Sequence, residues 1–439
     1  MIKFTPLRTL PTSSDFKEND VLVLFGELFR RGYANGVIDL ARSKGMKIIG
    51  ATVGRRDENK LLRPLTDEEL QAGEENLGGK IINIPLEAGF TLDSKPGQAN
   101  PEEQLTNIKL VGFEKQTLDW DNINDAREVG ANRFRTATRE FSTQLKTMIP
   151  EGANVYFVHT MAGGVPKSRN LAPIMNRVFK GTGNRYISSK ALWECEIGKL
   201  IAMNFEEVTA NTFSALLDMT EDIRNMVSEW NGKVFYSAYG YHGNEILVDD
   251  QYQWQSYCFY AQGEAKMKLE QYAIEARKKG IAATIFNCPE IGTNSTDIFP
   301  GVEVSLYLLL RAVTKEGGGA WAEEQVIICK NKLTESAEFD SILGAIEANR
   351  RDPFIQSFQG FNDFPIHHNQ KYADQMIELS KFVVEKHKSR DDLIIDHTSR
   401  LIYESTGRLI FNHIWNVEEA VIWLGHDIIA KELISIYAK

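Results

Sequence analysis

The chain has 439 residues, 43% hydrophobic and 25% charged, which is enough for a sizeable core in one large α/β unit or in two to three ordinary domains. Its formal charge of −10 excludes nucleic acid and anionic membrane as main partners, because either would repel a net anion. Four cysteines (Cys195, Cys258, Cys288 and Cys329) stand far apart, with no Cys-x-x-Cys and no Cys/His cluster. No disulfide framework, zinc site or other metal is therefore expected, and the composition reads as cytoplasmic. The start, MIKFTPLRTL, lacks the apolar run of a secretory leader, and VSLYLLL, the longest apolar run, is too short to insert across a membrane.

Short β-branched runs alternate along the chain with longer helical patterns. The strand candidates are VLVLF (21–25), KIIGATV (47–53), KIINI (80–84), NVYFVHT (154–160), KVFYSA (233–238), IAATIFN (281–287) and QVIICK (325–330). Several are apolar throughout, as strands covered on both faces are. Helical patterns such as YANGVIDLARSKG and AKMKLEQYAIEARKKG close on a glycine, the usual residue past a helix end. The pattern predicts a Rossmann-like, doubly wound parallel sheet. Residues 1–335 read as one dinucleotide-binding reductase domain, with a polar insertion at 89–150 between the third and fourth strands. That insertion carries a helix around NDAREVGANRFRTATREFSTQLKTM and could lie over the site. Residues 336–439 read as a C-terminal helical extension.

The first strand runs into FGELFRRGYANG, a strand–turn–helix with Gly26, Gly32 and Gly36. Such a turn lets backbone approach a pyrophosphate and aims helix N–H groups at it. Arg30 and Arg31 sit in this loop, and Arg55 and Arg56 follow the second strand, where ATVGRRDE has no acid before Asp57. Guanidinium pairs there suit a 2′-phosphate, so the residues favour NADPH, with NADH as the alternative. After the fourth strand, Thr160, Ala162 and Gly163 in TMAGG form a small-residue edge for the nicotinamide ribose, while His159, inside that strand, reads as a core histidine. Ser237 and Tyr239, in VFYSAYGYHG, fall where a hydroxyl can meet a substrate carbonyl.

The stretch YCFYAQGEAKMKLEQYAIEARKKGI holds two candidate acids, Tyr257 and Tyr260. Residues four apart on a helix lie about 40° from one another and residues nine apart about 180°. Tyr260 therefore faces Glu264, and Tyr257 can act with Lys266 only from a loop or irregular first turn; GNEILVDDQYQWQS before it reads as that long loop.

Tyr-x8-Lys followed by an amphipathic helix resembles the trans-2-enoyl-CoA and enoyl-acyl-carrier-protein reductases, a long-chain branch of the short-chain dehydrogenases. GGVPKSR, the Tyr239-Gly240 pair and SLYLLLRAVTKEGGGAWAEEQV extend the resemblance over roughly residues 153–330. It implies Tyr257 as the active-site acid, Lys266 as its cationic partner on the cofactor ribose, and Tyr239 as a second hydroxyl on an enoyl carbonyl. The implied substrate is a 2-enoyl thioester on CoA or acyl carrier protein. Three departures stand against it: Lys266 is followed by Met267, the fourth-strand turn reads Thr160-Met161-Ala162-Gly163, and Cys288-Pro289 with Thr293 looks like ordinary short-chain dehydrogenases. Two other readings stay open, a carbonyl reductase using Ser237 and Tyr257, and a nucleotide-binding sensor or scaffold without catalysis.

Overall fold

The computed structural model describes residues 3–241, 243–256, 261–293, 301–358, 360–361 and 367–438. Six of the predicted strands form: β1 (Val21–Phe25), β2 (Lys47–Thr52), β3 (Lys80–Pro85), β4 (Val155–His159), β5 (Val234–Gly240) and β6 (Ala282–Asn287). The seventh, β7 (Val421–Trp423), comes from the C-terminal region. All pair in parallel, in the order β7-β6-β5-β4-β1-β2-β3. Every residue of β1 and β4 is buried, as central strands of a sheet covered on both faces should be. This is the doubly wound, Rossmann-like architecture, and its strand order reverses between β1 and β4. There the connections leave to opposite faces and open a crevice at the carboxyl ends of the strands.

Alternation along each strand sorts the two covering layers. Leu22, Leu24, Tyr156 and Val158 face α1 (Ala34–Ser43) and most of the C-terminal helices. Val21, Val23, Phe25, Val155 and Phe157 face Phe134, Phe141 and Leu145 of α2 (Trp120–Lys146), the helix expected in the 89–150 segment. A further helical rod runs as α3 (Glu196–Glu206), a π turn (Glu207–Asn211) and α4 (Thr212–Met219). After β5 comes a hairpin and then α5 (Ala261–Lys278), which carries Lys266.

Three local expectations change. QVIICK is the end of a helix, α6 (Gly319–Lys330), which buries Ala322, Gln325 and Cys329 at helical spacing and leaves Ile327 57% exposed. The β-branched run suggested a strand, but the period of burial is that of a helix. GNEILVDDQYQWQS is an antiparallel hairpin, Gly243–Val248 with Gln251–Ser256, rather than a long loop. Its two-residue turn, Asp249-Asp250, has both φ positive (48° and 61°), the geometry that matches strand twist. The 336–439 extension, read as helical, also closes the sheet through Ile285↔Val421 and Phe286↔Ile422. Its helix α7 (Ile395–His413) lies directly on α1. Among the described residues, no helix is long and apolar enough to cross a membrane.

Candidate active site

The crevice begins where β1 and β4 end level, with Phe25 opposite His159. Gly26 leaves β1 at φ +136°, and a Cβ there would stand 2.3 Å from Thr160 Oγ1. Glycine alone lets the two exits touch. The loop then runs through Gly32 into α1, pinned by Asn35 Nδ2, which donates to Gly32 O (2.9 Å) and Phe29 O (3.0 Å). The first turn of α1 carries no acidic residue, and Ala34 and Asn35 at its start line the groove. Arg31 borders the groove and is ion-paired with Asp396 of α7 at 2.9 Å. Gly36, expected in the phosphate turn, lies inside α1 instead. A Cβ on it would meet Tyr403 O at 2.2 Å, so its missing side chain serves helix packing.

The opposite lip is the Thr160–Gly164 turn, held from the π turn. Thr209 Oγ1 accepts from Gly163 N (3.2 Å) and donates to Gly163 O (3.0 Å). Asn204 adds a bond from Nδ2 to Gly164 O (2.6 Å) and accepts from Phe90 N (3.0 Å). One turn on, Thr212 Oγ1 meets His159 Nε2 at 2.8 Å. Burial, reinforced by the Lys266 charge, holds His159 well below the usual imidazole range, so it is neutral. It is a core residue, as read from the sequence.

Two adjoining cavities follow. The larger, about 450 Å³, is lined by Arg31, Gly32, Thr160, Gly163, Tyr239 and Lys266 among others. The smaller, about 300 Å³, includes Gly26, Val53, Arg56, Glu87 and Val165. Glu27, Phe29, Thr160 and Ala162 border both.

Lys266 is 4% exposed, and burial pulls its ammonium down to about 8, opposed by Cys288 and by Glu270 one helical turn on. Glu270 is wholly buried and accepts from Asn287 Nδ2 (2.7 Å) at the end of β6. Tyr239 stacks on Tyr33, with ring centroids 5.4 Å apart, and Tyr33 donates to Pro289 O. The Tyr239 hydroxyl is buried with no hydrogen-bond partner among the described residues, and burial raises its pKa well above the usual tyrosine range. A buried, protonated O–H without a partner is a donor open to an acceptor, because leaving it unbonded costs about 1–3 kcal/mol. The neighbouring Tyr241 lines the same cavity and donates to Glu290 Oε1 (3.2 Å).

The remaining sequence candidates fare differently. Ser237 is 2% exposed and shares a hydrogen bond with Tyr156 (2.7 Å), so its hydroxyl is committed to the core. Arg55 and Arg56, read as free cations, are both held by carboxylates: Arg55 Nη1 by Glu27 (2.8 Å) and Arg56 Nε by Glu87 (2.8 Å). Tyr257 and Tyr260 lie outside the described residues. Sequence reasoning passed over Glu27, Phe29, Thr209 and Tyr241. Glu27 and Phe29 sat within the glycine segment itself, whereas nothing in the local pattern distinguishes Thr209.

A glycine turn between β1 and α1 at the switch point of a parallel sheet, a small-residue lip after β4 and a buried groove lysine define a Rossmann-fold nicotinamide-dependent reductase. The sequence matches the family described as enoyl-acyl carrier protein reductase FabMG over residues 3–433, and the chain belongs to that family. It is therefore an NAD(P)H-dependent enoyl reductase acting on an acyl thioester. Among solved structures, an apo FabMG is 50% identical, with both chains wholly covered and a TM-score of 0.97. An NADH-bound FabMG is 40% identical, again over all of both chains, with a TM-score of 0.80. No curated protein matches the chain.

Proposed function

We propose that this chain reduces the C2–C3 double bond of a 2-enoyl group carried on acyl carrier protein, using NADH. The observation that carries the reading is the presence, in one cavity beside the glycine turn, of buried Lys266 and of Tyr239, whose hydroxyl has no partner among the described residues. Bound along the crevice, a nicotinamide dinucleotide supplies the hydride for C3 of the enoyl group. Gly26, Gly32 and the start of α1 hold its pyrophosphate, and the Thr160–Gly163 lip bounds its ribose. Lys266 donates to a ribose hydroxyl and stabilises negative charge nearby. Tyr239 donates to the thioester carbonyl oxygen as it becomes an enolate oxygen, and Tyr257 gives its proton to C2 as the enolate collapses, regaining one from solvent. With Ser237 bonded to Tyr156, the carbonyl-reductase alternative lacks its second hydroxyl. The arginines favour NADH over NADPH, since each guanidinium is already ion-paired with a carboxylate.

Steady-state turnover of an enoyl-acyl carrier protein by Tyr257→Phe, Tyr260→Phe and Lys266→Ala tests the roles. General-acid contributions run to about 10²–10⁴ in rate, so Tyr257→Phe and Lys266→Ala should lose kcat on that scale and Tyr260→Phe little. An inactive Tyr260→Phe beside an active Tyr257→Phe would exchange the two tyrosines and remove the Tyr-x8-Lys assignment.

A further inference from the structure

β2 runs out through Thr52-Val53-Gly54-Arg55 without an acid, yet a carboxylate stands at its tip. It belongs to Glu27, the residue after Gly26 in the turn from β1. Glu27 Oε1 accepts from Thr52 Oγ1 (2.8 Å), Val53 N (3.1 Å) and Arg55 Nη1 (2.8 Å). Three donors on the β2 exit thus fix a side chain that starts on the neighbouring strand. Oε2 takes no hydrogen bond among the described residues, and Glu27 is one of the few residues bordering both cavities. In dinucleotide-binding sheets an acid at the end of the second strand accepts from the adenosine ribose hydroxyls.

We propose that Glu27 is the residue that grips the adenosine ribose and selects one without a 2′-phosphate. Its fixed oxygen positions the carboxylate, and its free oxygen receives the 2′-hydroxyl. A 2′-phosphate at the same place would meet Glu27, with Glu87 in the wall of the same cavity. Arg55 and Arg56 offer it no compensation, since each already neutralises one of those carboxylates. The proposal rests on the NADH reading above and names the group that enforces it.

The test titrates the full-length protein with NADH and NADPH at fixed salt, following Kd by fluorescence. Glu27→Gln is the informative variant: its amide oxygen still accepts from Thr52 and Val53, but the charge is gone and Arg55 is released. A hydrogen bond to a charged group contributes about 1.5–3 kcal/mol, or roughly 10- to 150-fold in affinity. Wild type should prefer NADH by at least about ten-fold on that scale. Glu27→Gln should weaken NADH and tighten NADPH, and adding Arg55→Ala should remove the NADPH gain. If Glu27→Gln does not fold, 2′-deoxy-NADH on wild type reads the same contact and should bind about ten-fold or more weaker than NADH. An unchanged NADH/NADPH ratio in a folded Glu27→Gln, or equal binding of 2′-deoxy-NADH, overturns the role of Glu27 and leaves the NADH reading standing. A wild type that prefers NADPH overturns both.

Discussion

At the scale of single residues, the groove is defined by groups whose proton affinity burial has altered. Lys266 sits at about 8 because the protein withholds water from its ammonium. If that cation holds the cofactor ribose, NADH affinity should be full below pH 8 and fall as pH rises through it, since the deprotonated amine has no charge to offer. Lys266→Met should bind NADH more weakly and show no such limb. A flat Kd–pH profile in wild type would remove the lysine from the cofactor contact. Tyr239→Phe deletes a hydroxyl that bonds nothing in the described protein. It should therefore keep or raise thermal stability, by up to about 1–3 kcal/mol, while lowering kcat on enoyl substrate by about 10²-fold or more, the scale of one lost donor at a developing oxyanion. A stable, fully active Tyr239→Phe would make the tyrosine a packing residue. Lys266 and Tyr239 were picked out because they stand in recognisable strings, and the fold brings both to one cavity. The partners of Arg55 and Arg56 were not: Glu87 is 31 residues from Arg56, and only the fold brings them together.

Among the elements, the π turn at Glu207–Asn211 is the one whose irregularity has a visible use. A single wide turn re-aims side chains along a helix, and here Thr209 grips both backbone groups of Gly163. Thr209→Val keeps the shape and removes both bonds. It should loosen the Thr160–Gly164 lip and raise the NADH Kd several-fold, with a stability loss of about 1–3 kcal/mol from the unpaired backbone groups. Unchanged cofactor affinity would separate the π turn from the groove. Element type was readable from the sequence wherever pattern and propensity agreed, as in β1 to β6. It failed at QVIICK, where β-branched residues occupy a helix whose burial period shows only once Ala322, Gln325 and Cys329 are aligned. It failed again at β7, three residues long, too short to carry any period.

For the whole molecule, the nucleotide-binding helix is seated by the far end of the chain. Gly36 of α1 meets Gly407 of α7 backbone to backbone, and a Cβ on Gly407 would lie 2.3 Å from the Gly36 carbonyl carbon. Helical Gly→Ala exchange ordinarily stabilises by about 0.5–1 kcal/mol. At Gly407 the sign should reverse, with a loss of about 1–3 kcal/mol from overpacking and weaker NADH binding as α1 is displaced. Urea unfolding with a parallel NADH titration reads both effects. A stabilised Gly407→Ala would show that the two helices have room. This dependence links residues more than 350 positions apart (36 and 407), so no local pattern could reveal it.

The central claim is that a hydride passes from the cofactor to C3 of an enoyl thioester in the Lys266–Tyr239 cavity. Turnover of an enoyl-acyl carrier protein with 4-deuterated NADH, with the saturated product analysed by NMR, tests it most directly. The saturated product should carry one deuterium at C3 and a solvent proton at C2. No turnover of the enoyl substrate, with deuterium instead at the carbinol carbon of a reduced 3-ketoacyl thioester, would contradict it.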